Sequence, residues 1–282
     1  MGVSEKALKT RIKSVRSTEH ITRAMQLVAS SKLRRATERM EISRAYFSAL
    51  RATFDDIAEG CGIDAPDAYF KVRTQGKTCI VTIAGDRGLA GGYNNNVYAM
   101  TRRVGEKETS VLYPIGKRAH EYFKKKGYEF ACDLKTAEGL QMDECASIGR
   151  EIAEGYASGK YNKVMLVYTA FRNMLSQETT ALQVLPLEKS GDGKEKKVSS
   201  VTIYEPSAGA VFKALIPEYV SGMIYCALCQ SGASEQAARR NAMDSATKNA
   251  GEMIEKLSLQ YNRARQGSIT QEITEIVAGS EQ

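Results

Sequence analysis

The best candidate for chemistry is one glycine-rich stretch, Gly85-Asp86-Arg87-Gly88-Leu89-Ala90-Gly91-Gly92-Tyr93-Asn94-Asn95-Asn96. It follows a β-branched run, Thr78 to Ala84, and precedes a helix expected to reach about Gly105. A glycine-rich turn between strand and helix can cradle phosphate on backbone N–H groups. The spacing of Gly85, Gly88, Gly91 and Gly92 fits neither G-x-G-x-x-G nor G-x-x-x-x-G-K-[ST]. No Lys-Ser/Thr follows, and no acid for a ribose is obvious after the next strand. A structural tight turn is the stronger reading; nucleotide binding is the weaker one.

Other reactive side chains are sparse. Cys226 and Cys229 form a C-x-x-C, but no second pair completes a zinc site. No strand-turn-helix pattern around them suggests thioredoxin chemistry. At i and i+3 of a helix they read as small buried hydrophobes. His20 and His120 are isolated, and no nucleophile, base and orienting group come together. The expectation is a chain with no catalytic residue, no cofactor and no metal of its own.

The elements around that loop decide the architecture. From Val3 to Glu59 there is neither glycine nor proline. Ser4 is the expected N-cap, and Gly60 with Gly62 the stop. A helix of that length spans ~85 Å at 1.5 Å per residue. Its apolar residues recur in steps of three and four, from Leu8 through Thr22, Met25, Ala29, Leu33 and Met40 to Phe54 and Ile57. That is coiled-coil spacing, with a weak centre of small residues. The other end mirrors it. A short helix is expected at Ser207 to Leu215, then a long one starting at Pro217, where the missing N–H costs nothing, and reaching about Val277. Its seam reads Met243, Ala246, Ala250, Met253, Leu257, Tyr261 and Ala264. Two long helices, each with one apolar stripe, cover each other most economically as an antiparallel pair.

Between them the pattern alternates strand and helix. Strands are expected at Thr78 to Ala84, Ser110 to Ile115, weakly at Tyr128 to Ala131, at Lys163 to Phe171 and at Gln177 to Leu187. Helices are expected at Arg118 to Lys126 and Met142 to Ala157. This gives a mostly parallel sheet with its last hairpin strand antiparallel. Lys189 to Lys197 reads as a polar loop, and Val198 to Tyr204 as a last short strand. The fold class is therefore mixed α+β/α/β: a long antiparallel two-helix coiled coil with an inserted Rossmann-like α/β domain. The expected divisions are 1–59, 60–206 and 207–282.

The net charge is +7. Between Met1 and Arg51 twelve Lys/Arg face four Glu, which suits an acidic partner: nucleic acid, an anionic membrane or an acidic protein face. No apolar run approaches the ~20 residues of a transmembrane helix. The N-terminus lacks the apolar core of a signal peptide, so a cytoplasmic protein is expected.

Three stretches carry a family resemblance. Ile21 to Leu33, the loop GDRGLAGGYNNNV, and the pair SEQAARRNAMDSATKNA and YNRARQGSITQEITEIVAG resemble the gamma subunits of F-type ATP synthases, in order along the whole chain. The resemblance implies a central shaft that couples ion flow through a membrane c-ring to rotational catalysis in an alpha/beta ring. It implies a non-catalytic subunit, with the epsilon subunit alongside and no nucleic acid. The residues it assigns to partner contact are Thr22, Arg23, Met25, Arg239, Arg265, Gln266, Thr270 and Glu272. The absence of a plastid-type regulatory insert and of a transit peptide points to a bacterial complex, peripheral on the cytoplasmic face of the cell membrane. Two rivals remain at this stage: a basic coiled-coil nucleic-acid-binding protein, and a nucleotide-dependent enzyme built on the insert.

Overall fold

The computed structural model describes residues 5–61, 67–187, 205 and 207–280. The expected Ser4 cap, the polar loop and the strand at Val198 to Tyr204 lie outside the described residues. Helix α1 spans Glu5–Cys61 and α6 spans Ala208–Ser280. The insert runs α2 (Asp67–Phe70), β1 (Lys77–Ile83), α3 (Tyr93–Val104), β2 (Ser110–Ile115), α4 (Lys117–Lys125), β3 (Glu129–Phe130), α5 (Met142–Ala157), β4 (Tyr161–Phe171) and β5 (Gln177–Leu185). The chain divides into two compact units: Met1–Ser31 with Arg239–Gln282, and Lys32–Ala238.

In the larger unit the strands lie in the order β3-β2-β1-β4-β5. All neighbours are parallel except β4 and β5, which are antiparallel. Side chains alternate across the pleat with period two. Cys79, Val81 and Ile83 of β1 join one core with α5 and parts of α1 and α6. Ile80 and Ala84 join the other, under Val97 and Tyr98 of α3 and Phe123 of α4. Both faces are covered, which explains why β1 reads as a continuous apolar run.

Pro217 sits inside α6, so the expected break into two helices does not occur. A proline there forfeits one helical hydrogen bond and costs ~3 kcal/mol. Burial offsets that cost. Phe212, Ile216 and Val220 are fully buried around it, and each large apolar side chain buried contributes ~1.5–3 kcal/mol. The carbonyl of Pro217 accepts a 2.5 Å hydrogen bond from Ser221 Oγ. One helix, within Gly209–Val277, is long and apolar enough to cross a membrane by length and composition; 56% of its apolar window is buried inside the chain. The expectation that no such stretch exists is corrected accordingly. These residues are core.

Gly149 of α5 is what lets α5 approach α6 so closely. A Cβ there would lie 2.8 Å from both the Pro217 carbonyl oxygen and the Ser221 nitrogen. Both are backbone atoms and cannot swing aside. Gly149→Ala is therefore expected to destabilise the chain by about 1–3 kcal/mol, read as a lowered urea midpoint. An unchanged midpoint would contradict this packing.

In the smaller unit the two helix segments run antiparallel. Thr22 and Thr247 hydroxyls bond at 2.7 Å, Gln26 Nε2 donates to Asp244 at 2.9 Å, and Arg240 Nε donates to Ser30 Oγ at 3.1 Å. The partner number falls as the α1 number rises. Leu8, Ala29, Met243, Ala250 and Leu257 are buried. The α1 seam is buried or half-buried at every expected position. The α6 seam departs once: Met253 is 44% exposed, and neighbouring Ile254 turns inward instead.

Candidate partner-docking surfaces

The residues expected to meet partners divide by face. Thr22 is buried and bonded to Thr247, and Arg239 is 9% exposed and engaged within the chain. Both side chains face inward, and Thr22 bridges the two helices through Thr247. Their motifs match, but a motif does not say which side of a helix a residue faces. Arg23 is exposed, with Glu19 at 3.9 Å, and Met25 is half-buried. Around them Ile21, Leu27 and Val28 stand 58%, 68% and 57% exposed. These three apolar side chains were missed because they lie off the seam.

Arg265, Gln266, Thr270 and Glu272 are all exposed on the last turns of α6. The Tyr261 hydroxyl hydrogen-bonds Glu5, which raises the phenol above its ordinary value. Glu5 opens the described part of α1. Beyond Ala264 every described residue of α6 is exposed. This segment nevertheless carries Ile269, Ile273, Ile276 and Val277, at i, i+4, i+7 and i+8, each more than two-fifths exposed. That spacing makes one apolar stripe on one helix face. Sequence reasoning missed the stripe because it continues the seam spacing.

The glycine loop is closed by its own side chains. Gly85 N–H donates to Asn94 Oδ1 at 3.0 Å, and Asn94 Nδ2 donates back to the Arg87 carbonyl at 3.2 Å. Asp86 accepts backbone N–H groups from Lys117, Ala137 and Glu138 at 2.9–3.2 Å. One carboxylate thus ties the loop to two separate segments, at Lys117 and at Ala137-Glu138. Leu89 is held at φ 60 and is 64% exposed, an unusual conformation for a γ-branched residue. The loop displays Arg87 and Leu89 outward. It directs Gly85 N–H at Asn94, where a phosphate cradle would leave it open.

Glu138 links this loop to α1. Lys32 Nζ donates to it at 2.5 Å, and Arg87 lies 3.8 Å from its other oxygen. The Lys32 hydrogen bond holds the Glu138 carboxyl below its ordinary value of 4.5, against the opposing effect of burial. A depressed carboxylate contributes stability above its unfolded pKa and loses it as pH falls through the folded pKa. Both side chains are about half exposed, 42% and 57%, so screening keeps the contribution under ~1 kcal/mol. Lys32→Met is expected to lower stability by that small amount at neutral pH. The difference from the parent chain should shrink in acid and vanish once Glu138 is protonated in the folded chain. Chemical denaturation at several pH values checks it; a difference that grows in acid would contradict the pair.

Comparison with known proteins places these surfaces in a family. A family model described as ATP synthase matches residues 4–282. The chain is 45% identical over 281 residues to the ATP synthase gamma chain of Ruminococcus albus, covering 98% of this chain and 97% of that one. It is 39% identical to the sodium-ion-specific ATP synthase gamma chain of Acetobacterium woodii, covering 100% and 99%. In fold it resembles a chain of the Euglena gracilis mitochondrial ATP synthase solved with OSCP, F1 and c-ring, at TM-score 0.71 and 17% identity, covering 98% and 93%. With a family match over residues 4–282 and relatives 39–45% identical over nearly their whole length, the chain belongs to the ATP synthase gamma-chain family.

Proposed function

We propose that the chain is the central rotor shaft of an F-type ATP synthase, coupling ion flow through a membrane c-ring to rotational catalysis in the alpha/beta ring. The observation that carries this is the exposed apolar stripe of Ile269, Ile273 and Ile276 near the end of α6. An exposed apolar stripe on a single helix needs an enclosing partner, and a family member's shaft end would find one inside the ring. Arg265, Gln266, Thr270 and Glu272 flank that stripe and supply its polar contacts. Arg23 and Met25, with Ile21, Leu27 and Val28, form a second contact on α1. The exposed basic residues of α1, such as Arg11, Lys13, Arg34 and Arg35, suit acidic partner loops, where charge steers more than it binds. The epsilon subunit and the c-ring complete the rotor, on the cytoplasmic face of a bacterial cell membrane. Through these contacts the chain sets ATPase activity and proton flow without an active site of its own.

The test is assembly and rotation. Co-expressed with alpha and beta subunits from its own source, the tagged chain should bring both down as an ATP-hydrolysing complex. A bead on the insert should turn in one direction while ATP is hydrolysed. An active alpha/beta assembly that excludes the chain, or holds it still, would overturn the reading. The nucleic-acid alternative has no support in a family match that spans the whole chain.

A further inference from the structure

The parallel registers bring four chain segments to one edge of the insert. Thr78 pairs with Ser110, Val111 with Glu129, and Lys77 with Tyr161. The N-terminal ends of β1, β2, β3 and β4 therefore lie side by side, with the loops that lead into them. Those loops, with the last turn of α4, carry Lys71, Lys107, Lys124, Lys125, Lys126 and Lys160, all exposed. Neighbouring loops touch. The Lys107 ammonium lies 3.2 Å from where a Gly127 Cβ would be, and Arg73 donates to the Ala157 carbonyl at 3.1 Å. Exposed acids on the edge are fewer: Glu106, Glu108 and Glu154, while Glu129 is taken by Lys77. Val72 stands 75% exposed between Lys71 and Arg73.

We infer that this lysine edge is a contact surface for anionic phospholipid headgroups. Three features favour a lipid surface over a shaped acidic protein site. Most of the exposed cations are lysines, point charges without the fork geometry that recognises one carboxylate, and Arg102 and Arg103 in the last turn of α3 add to the same edge. Half-buried Arg73 is spent on internal structure: its guanidinium bonds Ala157 and lies over the Tyr156 ring at 5.1 Å. The charges are spread over adjacent strands roughly 4.8 Å apart, which matches a plane of headgroups and needs no complementary pocket. An exposed valine beside lysines whose apolar stems reach outward suits the headgroup boundary. Cations at a helix C-terminus complement its dipole, and that accounts for Lys124 and Lys125 at the end of α4. It does not account for Lys71 or Lys107, which lie in loops. The inference stands apart from the rotor reading, which holds whether or not the edge meets lipid.

The test is sedimentation of the full chain with vesicles. It should bind vesicles containing phosphatidylglycerol and not pure phosphatidylcholine, with affinity falling as salt rises. The quadruple variant Lys107→Gln, Lys124→Gln, Lys125→Gln, Lys126→Gln should lose more than about tenfold in affinity, since each lysine near an anionic surface contributes separately. The same four positions changed to arginine should keep binding. A control removing four charges from α1, Arg11→Gln, Lys13→Gln, Arg16→Gln and Arg35→Gln, should lose far less. Equal losses in both variants would reduce the effect to overall charge and overturn the inference. So would binding indifferent to lipid charge, or no vesicle binding at all. Competition by millimolar inorganic phosphate at constant ionic strength would indicate a discrete anion site, and capture by polyglutamate without vesicle binding an acidic protein partner; either outcome also overturns it.

Discussion

Aspartate at Ile273 and Ile276 is expected to remove most ATP hydrolysis by the assembled complex while leaving the isolated chain as stable as before. The two halves of that result have separate causes. Ile273 and Ile276 are 56% and 71% exposed, so their replacement forfeits almost no burial within the chain. Surface changes away from packed features stay within ~0.5 kcal/mol. In the complex the same positions would lie against an apolar sleeve, where an unpaired carboxylate is costly. Fewer than a third of interface residues cost more than ~1 kcal/mol on truncation, but those that do cluster at the desolvated centre, and two buried carboxylates there should lower turnover by at least roughly tenfold. Gln266→Ala with Thr270→Ala should lower it less. The Thr270 hydroxyl already donates to the Gln266 carbonyl at 2.9 Å, so little unsatisfied polarity is left behind. The assay is steady-state ATPase of purified complex alongside thermal unfolding of the free chain. Full turnover in the aspartate variant would remove the stripe from the ring. A large drop in the free chain's stability would mean the stripe is covered from within.

How much of this was legible in the residues depended on range. The α1 seam was readable because its three-and-four spacing is local. The one slip on α6, Met253 for Ile254, arose because adjacent apolar residues both fit the spacing. A helix of 3.6 residues per turn drifts against a seven-residue repeat, so spacing alone cannot choose between them. Pro217 misled because the rule against interior proline is local, while the burial that overrides it comes from Gly149 and the sheet. The isoleucines of the α6 end look like any other seam. Their exposure is a matter of tertiary packing, which spacing along one helix does not report. Asp86 reads as an ordinary turn residue, yet it accepts N–H groups from positions 117, 137 and 138. The lysine edge comes from four loops far apart in sequence and exists only through strand register. Family motifs carried the identity well but not the facing of Thr22 or Arg239.

Phe212→Ala should produce the largest loss of stability in the chain, about 3–5 kcal/mol. The ring is fully buried. Its centroid lies 4.7 Å from Phe54 of α1 and 5.7 Å from Phe70 of α2, and Phe54 in turn stacks on Tyr219 at 4.3 Å. One side chain therefore joins both long helices and the start of the insert within the larger unit. Removing it opens a cavity that rigid aromatic neighbours cannot refill. Against the ~5–15 kcal/mol that holds a typical folded protein together, this is a large fraction. Phe212→Leu keeps most of the volume and should cost less than ~1.5 kcal/mol. Urea unfolding of the free chain separates the two variants; similar midpoints would mean the stack is not what joins these elements. In the complex the alanine variant should show a second effect. A loosened junction lets the helices turn without carrying the insert fully with them. ATP-driven ion pumping should then fall more than ATP hydrolysis, whereas a variant that merely unfolds would lose both together.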